Sequence, residues 1–339
     1  MNILVTGGAG FIGSHTVVAL VEAGYRPVIL DNFSNSEKTV LEGINKITGR
    51  TIPCYEGDCN DATLVRSILE KESIQGVIHF AAYKAVGESM EQPLKYYRNN
   101  LGSLLVLLEE MEQVGVHQLI FSSSCTVYGE PEHLPVTEQT PVQKAMSVYG
   151  NTKQIGEEIL RDVVAAQTPF KIIALRYFNP VGAHPSALIG ELPRGVPNNL
   201  IPFVTQTAAG IRKELTVFGS DYATADGSCI RDYIHVMDLA EAHVAALHKL
   251  GQLQERSFYD EVNVGTGVGN SVLEIVESFQ EVTKVPLPYK IGDRRSGDIP
   301  QIYADVQKSE AFLGWKARRS LKDSLQDAWR WQQQLAARS

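Results

Sequence analysis

The sequence predicts a doubly wound α/β fold: a parallel sheet covered by helices on both faces, followed by a smaller, irregular α/β lobe. Three observations carry that expectation. Short β-branched or apolar runs alternate with helix-length amphipathic stretches through the first half. Several runs, Gly76-Val77-Ile78-His79-Phe80, Leu119-Ile120-Phe121 and Ile172-Ile173-Ala174-Leu175, are nearly continuous, as strands buried on both faces require. A glycine cluster then follows the first run directly and opens the first helical stretch.

Strands are expected at 2–6, 27–31, 51–55, 76–81, 118–122 and 171–176, with helices at 13–23, 37–48, 61–72, 93–114 and 150–167. Alternation of this length means right-handed crossovers. After Arg176 the texture changes. Residues 179–199 are rich in Pro, Gly, Asn and His, the mark of long ordered loops. A helix near 200–210, a strand near 215–218, a helix near 236–250, a strand at 261–265 and a helix from Ser271 follow. Near the end, Leu321, Leu325, Ala328, Trp329 and Trp331 recur at roughly helical spacing. Residues 1–176 therefore read as one domain and 177–339 mainly as a second lobe, with some segments returning to the first.

The chain has 339 residues, 44% of them hydrophobic and 21% charged, which excludes a disordered or fibrous protein. Its net charge of −8 argues against wrapping nucleic acid or an anionic membrane, though not against a local basic pocket. Four scattered cysteines, Cys54, Cys59, Cys125 and Cys229, show no metal or redox spacing and read as reduced thiols in a cytoplasmic protein. No metal site is expected. No apolar run reaches the roughly 18 residues of a spanning helix. Met1-Asn2-Ile3-Leu4-Val5-Thr6-Gly7 has no basic start and reads as structure rather than as a signal peptide.

Gly7-Gly8-Ala9-Gly10-Phe11-Ile12-Gly13 lies between the first strand and the first helix, the context of a Rossmann dinucleotide turn. Its glycines permit a tight turn, close backbone approach to a pyrophosphate and close helix packing. Asp31 ends the next strand, 18 residues after Gly13. A carboxylate there accepts both hydroxyls of an adenosine ribose and repels a 2′-phosphate, so the expected cofactor is NAD. Asn32, Asn35 and Ser36 add uncharged donors. Asp58, beside Cys59, either caps a helix or meets the adenine. Phe80 and Ala81 end the fourth strand at the ligand-binding edge. Asn99 reads from pattern alone as a polar helix residue.

Ser122-Ser123-Ser124 ends the fifth strand, and Tyr149 and Lys153 share one helical face at i and i+4. With an ordinary pKa near 10, only about one tyrosine in a thousand is ionised at neutral pH. Bringing it to about 7 needs about 4 kcal/mol. An ammonium one turn away and a positive nicotinamide ring are suited to supply it, while Ser124 holds the same substrate oxygen.

Gly7-x-x-Gly10-x-x-Gly13, Ser124 and Tyr149-x-x-x-Lys153 together resemble the extended short-chain dehydrogenase/reductase superfamily. More narrowly, Tyr177-Phe178-Asn179-Pro180-Val181-Gly182-Ala183-His184-Pro185, Pro197-Asn198-Asn199-Leu200 and Arg231-Asp232-Tyr233-Ile234-His235-Val236 resemble the UDP-glucose 4-epimerase (UDP-galactose 4-epimerase) family, over almost the whole chain. The resemblance implies tightly held NAD and reversible interconversion of UDP-galactose and UDP-glucose through a transient 4-keto sugar. Tyr149 would take the proton of the 4-hydroxyl as hydride leaves carbon 4. Lys153 would lower the Tyr149 pKa and bind the nicotinamide ribose. It also implies that Lys84, Asn99 and Ser122 meet the cofactor and that Tyr177 and Phe178 lie near the nicotinamide.

On the substrate side, the resemblance assigns the diphosphate to Arg231 and Arg295, whose guanidinium forks suit phosphate. Asn179, Asn198, Asn199, Leu200 and Tyr233 would line the nucleotide sugar, and Thr216, Val217 and Phe218 the uracil. In Arg294-Arg295-Ser296-Gly297-Asp298, Asp298 would meet the uridine ribose; two plainer readings stay open, Phe218 as core and Asp298 as an arginine's partner. Ile302 matches a pocket position held in the family by residues from tyrosine, which excludes N-acetylated sugars, to cysteine, which admits them. An isoleucine there is expected to favour UDP-galactose and UDP-glucose over UDP-N-acetylgalactosamine. The family also implies a homodimer through the helices at 93–114 and 150–167.

Two other readings lack support. A 4,6-dehydratase needs an acid/base pair directly after the serine run, where this chain has Cys125 and Thr126. A non-catalytic NAD sensor has no need of Tyr149 and Lys153. Epimerases of UDP-glucuronate or a UDP-pentose differ only in pocket details, and the sequence leaves them open.

Overall fold

The computed structural model describes residues 1–295 and 297–338; Ser296, inside the arginine motif, lies outside them. The first half runs β1 (Asn2–Thr6), α1 (Phe11–Glu22), β2 (Arg26–Asp31), α2 (Thr39–Thr48), β3 (Cys54–Glu56), α3 (Ala62–Lys71), β4 (Gly76–His79), α4 (Val86–Glu91), α5 (Pro93–Val114), β5 (Gln118–Ser124), α6 (Val148–Ala165) and β6 (Lys171–Tyr177). The second half adds β7 (Asn179–Val181), α7 (Leu200–Ala208), β8 (Leu215–Phe218), β9 (Ile230–His235), α8 (Val236–Gln252), β10 (Phe258–Val264), β11 (Gly269–Ser271), α9 (Val272–Thr283), β12 (Tyr289–Gly292), β13 (Gln301–Ile302), α10 (Gln307–Leu313) and α11 (Leu321–Arg338).

Seven strands form one sheet in the order β10-β6-β5-β4-β1-β2-β3, with every pairing parallel. The period-2 geometry of a strand sends successive side chains to opposite faces. Ile3, Val5, Ile29, Ile78 and Ile120 accordingly pack with α1, α2 and α8 through Val17, Leu20, Ile44 and Leu247. Leu4, Val28, Leu30, Val77 and Leu119 pack with α3, α5 and α6 through Val65, Ile68, Leu104 and Leu160. Each fully buried Leu or Ile contributes about 1.5–3 kcal/mol, so both helical layers are firmly seated.

Boundaries moved where local chemistry demanded it. The expected strand at 51–55 begins only at Cys54, because Pro53 has no N–H to give the ladder and serves only through its carbonyl, which accepts from the Ile29 amide. Helix α3 is capped by Asp61, whose carboxylate accepts from the Leu64 amide at 3.1 Å, so Asp58 is not the cap. Residues 179–181, expected as loop, form β7, and the 230–235 motif forms β9 at the centre of a small second sheet with β7, β11 and β13. β10 pairs with β6 and takes the main sheet past residue 176. Among the described residues, no helix is long and apolar enough to cross a membrane.

Candidate active site

Parallel strands place all their carboxyl ends on one edge, where Gly7, Asp31, Phe80, Ser124 and Tyr177 meet. Gly7 has φ +67°, and a Cβ on it would lie 2.9 Å from the Ala81 amide nitrogen. A Cβ on Gly13 would lie 2.3 Å from the Gly7 carbonyl oxygen. Only glycine lets the turn fold this tightly and present bare backbone at the start of α1. This cradle fits a pyrophosphate.

Asp31 is buried, and its carboxylate organises the neighbouring loops. One oxygen accepts from the Ala9 amide, the other from the Phe33 amide and the Ser36 hydroxyl, each at 2.9 Å. Asn32 donates to Asp58 at 3.2 Å, and Asp58 also accepts from the Asn60 amide at 2.8 Å. Burial raises the Asp58 carboxyl, but the Asn60 and Asn32 hydrogen bonds prevail and hold it below its usual range. Asn35 is exposed, and Cys59 is buried beside Leu4, Leu30 and Val65.

Helix α6 starts two residues earlier than expected because Ser147 caps it, accepting from the Gly150 amide at 3.0 Å. Tyr149 thus stands in the first turn, at the mouth of the edge, with Lys153 buried one turn below. The Lys153 ammonium donates to the Ser122 carbonyl at 2.5 Å and lies 5.9 Å from the Tyr149 ring centroid. Burial pushes the Tyr149 phenol up to about 12, against a lowering hydrogen bond from Ser124. Burial also brings Lys153 down to about 8, opposed by the Glu157 carboxylate. Glu157 in turn clamps α6 to the sheet, taking Arg176 through two hydrogen bonds of 2.9 and 2.6 Å and the Ser123 hydroxyl at 2.6 Å. The Tyr177 and Ser122 hydroxyls are hydrogen-bonded to each other. Phe178 packs with Cys125, Val127 and Ile302 in a small buried cluster.

The second lobe assembles the arginine group. In register, Arg231 of β9 lies beside Ile302 of β13, and Tyr233 beside Asn179 of β7. Asp298 takes Arg295 through two hydrogen bonds of 3.2 and 2.8 Å, with Arg231 4.0 Å away. The Arg295 guanidinium sits 5.6 Å from the centre of the Phe218 ring. Phe218 is 43% exposed and is not core, whereas the adjacent Val217 is buried. Thr216 and Leu200 are partly buried, and Asn198 is exposed.

Two residues escaped the sequence reading. Glu191 accepts from the Asn199 amide group at 2.6 Å and lies 3.9 Å from the Lys84 ammonium, joining an expected substrate residue to an expected cofactor residue. Burial raises its carboxyl. Arg194 reaches back to the β2–α2 loop. Both lie in a Gly/Pro/Asn-rich stretch without periodicity, so no pattern marked them. Asn99 donates to its neighbour Asn100 at 3.0 Å. No group of three or more His, Cys, Asp or Glu poised for a metal ion occurs among the described residues.

With Ser124, Tyr149 and Lys153 at the carboxyl edge of a sheet that opens on a glycine cradle, the architecture is that of an extended short-chain dehydrogenase/reductase. Known proteins narrow that class. Residues 4–328 match the family model described as GDP-mannose 4,6 dehydratase. The UDP-glucose 4-epimerase of Bacillus subtilis (strain 168) is 51% identical over 98% of this chain and 97% of its own length. The UDP-glucose 4-epimerase of Stenotrophomonas maltophila, solved with bound NAD and formylated UDP-arabinopyranose, is 46% identical with a TM-score of 0.97, covering 100% of both chains. That of Bifidobacterium longum, solved with NAD+ and UDP, is also 46% identical, with a TM-score of 0.94 over 98% of each chain. The chain belongs to the GDP-mannose 4,6 dehydratase family and, within it, to the UDP-glucose 4-epimerases.

Proposed function

We propose that this protein interconverts UDP-galactose and UDP-glucose by 4-epimerisation through a transient 4-keto sugar, with NAD as a resident cofactor. One observation carries the reading: Tyr149, Lys153 and Ser124 converge at the edge where the glycine cradle and Asp31 also open. The cradle, where a Cβ on Gly7 would meet Ala81, and the acid at the end of β2 fit a dinucleotide. When bound there, NAD would supply a hydride acceptor and donor.

The chain's own residues do the rest. Tyr149 removes the proton of the 4-hydroxyl and returns it after the sugar has turned, and Ser124 holds the reacting oxygen. Lys153, fixed by the Ser122 carbonyl, keeps positive charge near the phenol. Arg231 and Arg295 take the diphosphate, Asp298 the uridine ribose and Phe218 the uracil face. Residues 1–176 hold mainly the cofactor and 177–339 mainly the nucleotide sugar. Elimination of water in the manner of a 4,6-dehydratase is disfavoured: after Ser124 come Cys125, its thiol pushed up to about 12 by burial, and Thr126.

The same reading makes the protein a cytoplasmic homodimer. Four free thiols support a reducing compartment. Leu94 and Leu105 of α5, 79% and 45% exposed, support a helical interface. The activity is tested by adding UDP-galactose to purified protein and following UDP-glucose without added reductant. Product should form, and Tyr149→Phe should slow it by about 10²–10⁴-fold while leaving NAD bound. Absence of product from folded, NAD-loaded protein refutes the proposal.

A further inference from the structure

We propose that Arg194 is a latch that retains the cofactor by pinning the β2–α2 loop to the substrate-side lobe; the inference rests on the NAD reading above. The guanidinium donates to two backbone carbonyls of that loop, Ser34 at 2.9 Å and Ser36 at 2.6 Å, across 160 and 158 residues of chain. A planar fork with two parallel donors suits a pair of carbonyls in a way a lysine's single ammonium does not.

The loop it grips is the one that carries Asn32, Asn35 and Ser36 beside the adenosine end of the cradle. Asp31 supports the loop from inside, through the Phe33 amide and the Ser36 hydroxyl. Phe33 holds a left-handed φ of 54°, which a non-glycine residue keeps only when its surroundings enforce it. Arg194 closes the same loop from outside.

The post to which the latch is fixed is itself anchored. Trp331 of α11 donates its indole N–H to the Glu191 carbonyl at 2.9 Å. Its ring lies so close over Gly190 that a Cβ there would be 2.5 Å away. The Glu191 carboxylate holds Asn199 and faces Lys84. One segment, 190–199, thereby connects α11, the lysine expected to meet the cofactor and the adenosine loop. An enzyme that returns the hydride it removes needs no cofactor exchange, so slow release is of use to it.

Arg194 is exposed, so its removal leaves the core intact. The experiment loads the full-length wild type, Arg194→Ala and Arg194→Lys with NAD. Release is followed after dilution into an excess of an NAD-consuming enzyme, and the melting temperature of each NAD-free form is recorded. Release from Arg194→Ala should be about tenfold faster, corresponding to about 1.4 kcal/mol, with the lysine variant between and the NAD-free melting temperatures equal. Equal release rates overturn the latch, as does an equal loss of NAD-free stability, which would mark a merely structural contact. A folded wild type that takes up no NAD overturns the cofactor reading, and the latch with it.

Discussion

The Lys153 ammonium is held by the Ser122 carbonyl at 2.5 Å, 5.9 Å from the Tyr149 ring centroid. In that arrangement the lysine alone does not make a base of the tyrosine, whose phenol burial pushes up to about 12. On the NAD reading, the positive ring of the cofactor supplies further stabilisation beside the Ser124 hydrogen bond. Tyr149 should therefore ionise at lower pH in NAD-loaded than in NAD-free protein. Titration of the ultraviolet tyrosinate band, with Tyr149→Phe as the blank, reads this directly. Identical midpoints in the two forms argue against a cofactor-tuned base.

Arg295 is held by Asp298 through two hydrogen bonds, so the diphosphate proposed to bind there would compete for a fork that is already paired. Arg295→Lys keeps the charge and loses the fork. UDP should bind about tenfold more weakly, or about 1.4 kcal/mol, by calorimetry at low salt. An unchanged Kd removes Arg295 from the binding site.

Ile302 is 3% exposed, lies beside Arg231 in register and packs with Phe178 and Cys125. Ile302→Cys removes bulk there at a cost of about 1 kcal/mol in stability. The wild type should turn over UDP-galactose well and UDP-N-acetylgalactosamine weakly, and the cysteine variant should narrow the gap. Equal wild-type rates for both sugars would show that this position does not set the pocket's size.

Three buried histidines should weaken the fold as pH falls. Burial lowers His15 and His79 to about 3 and His243 to about 4, so each stays neutral when folded at pH values where the unfolded chain is protonated. Between about 6.5, the unfolded value, and these folded values the unfolded state binds more protons, and stability falls as pH falls. Glu138, Glu191 and Asp232, raised by burial, act in the opposite sense. From pH 7 to 5.5 the unfolded chain's histidines take up protons that the three buried ones do not, and the urea midpoint should drop. A midpoint that rises or stays flat contradicts this balance.

The sheet was legible because strands such as Val77-Ile78 and Ile172-Ile173 are apolar on both faces, and the helices because their apolar faces are local. β7 and β9 were not, since three residues around Pro180, or six that include Arg231 and Asp232, become strand only by pairing across the lobe. Asp58 was left open between cap and adenine contact; the cap is Asp61, three residues before the Leu64 amide it accepts from, because the helix starts later than the pattern placed it. The proposed catalytic side chains, Tyr149 and Lys153, stood in a pattern of fixed spacing. Glu191 and Arg194 did not: each is a lone charge in a loop, and its partners lie elsewhere in the chain.

In the proposed reaction, hydrogen leaves and returns to the same carbon of a bound sugar. The direct test is UDP-galactose carrying deuterium at carbon 4, incubated with the NAD-loaded protein in ordinary water. UDP-glucose should form with the deuterium still at carbon 4. Product that has exchanged its deuterium for solvent hydrogen, or no UDP-glucose at all, contradicts the account.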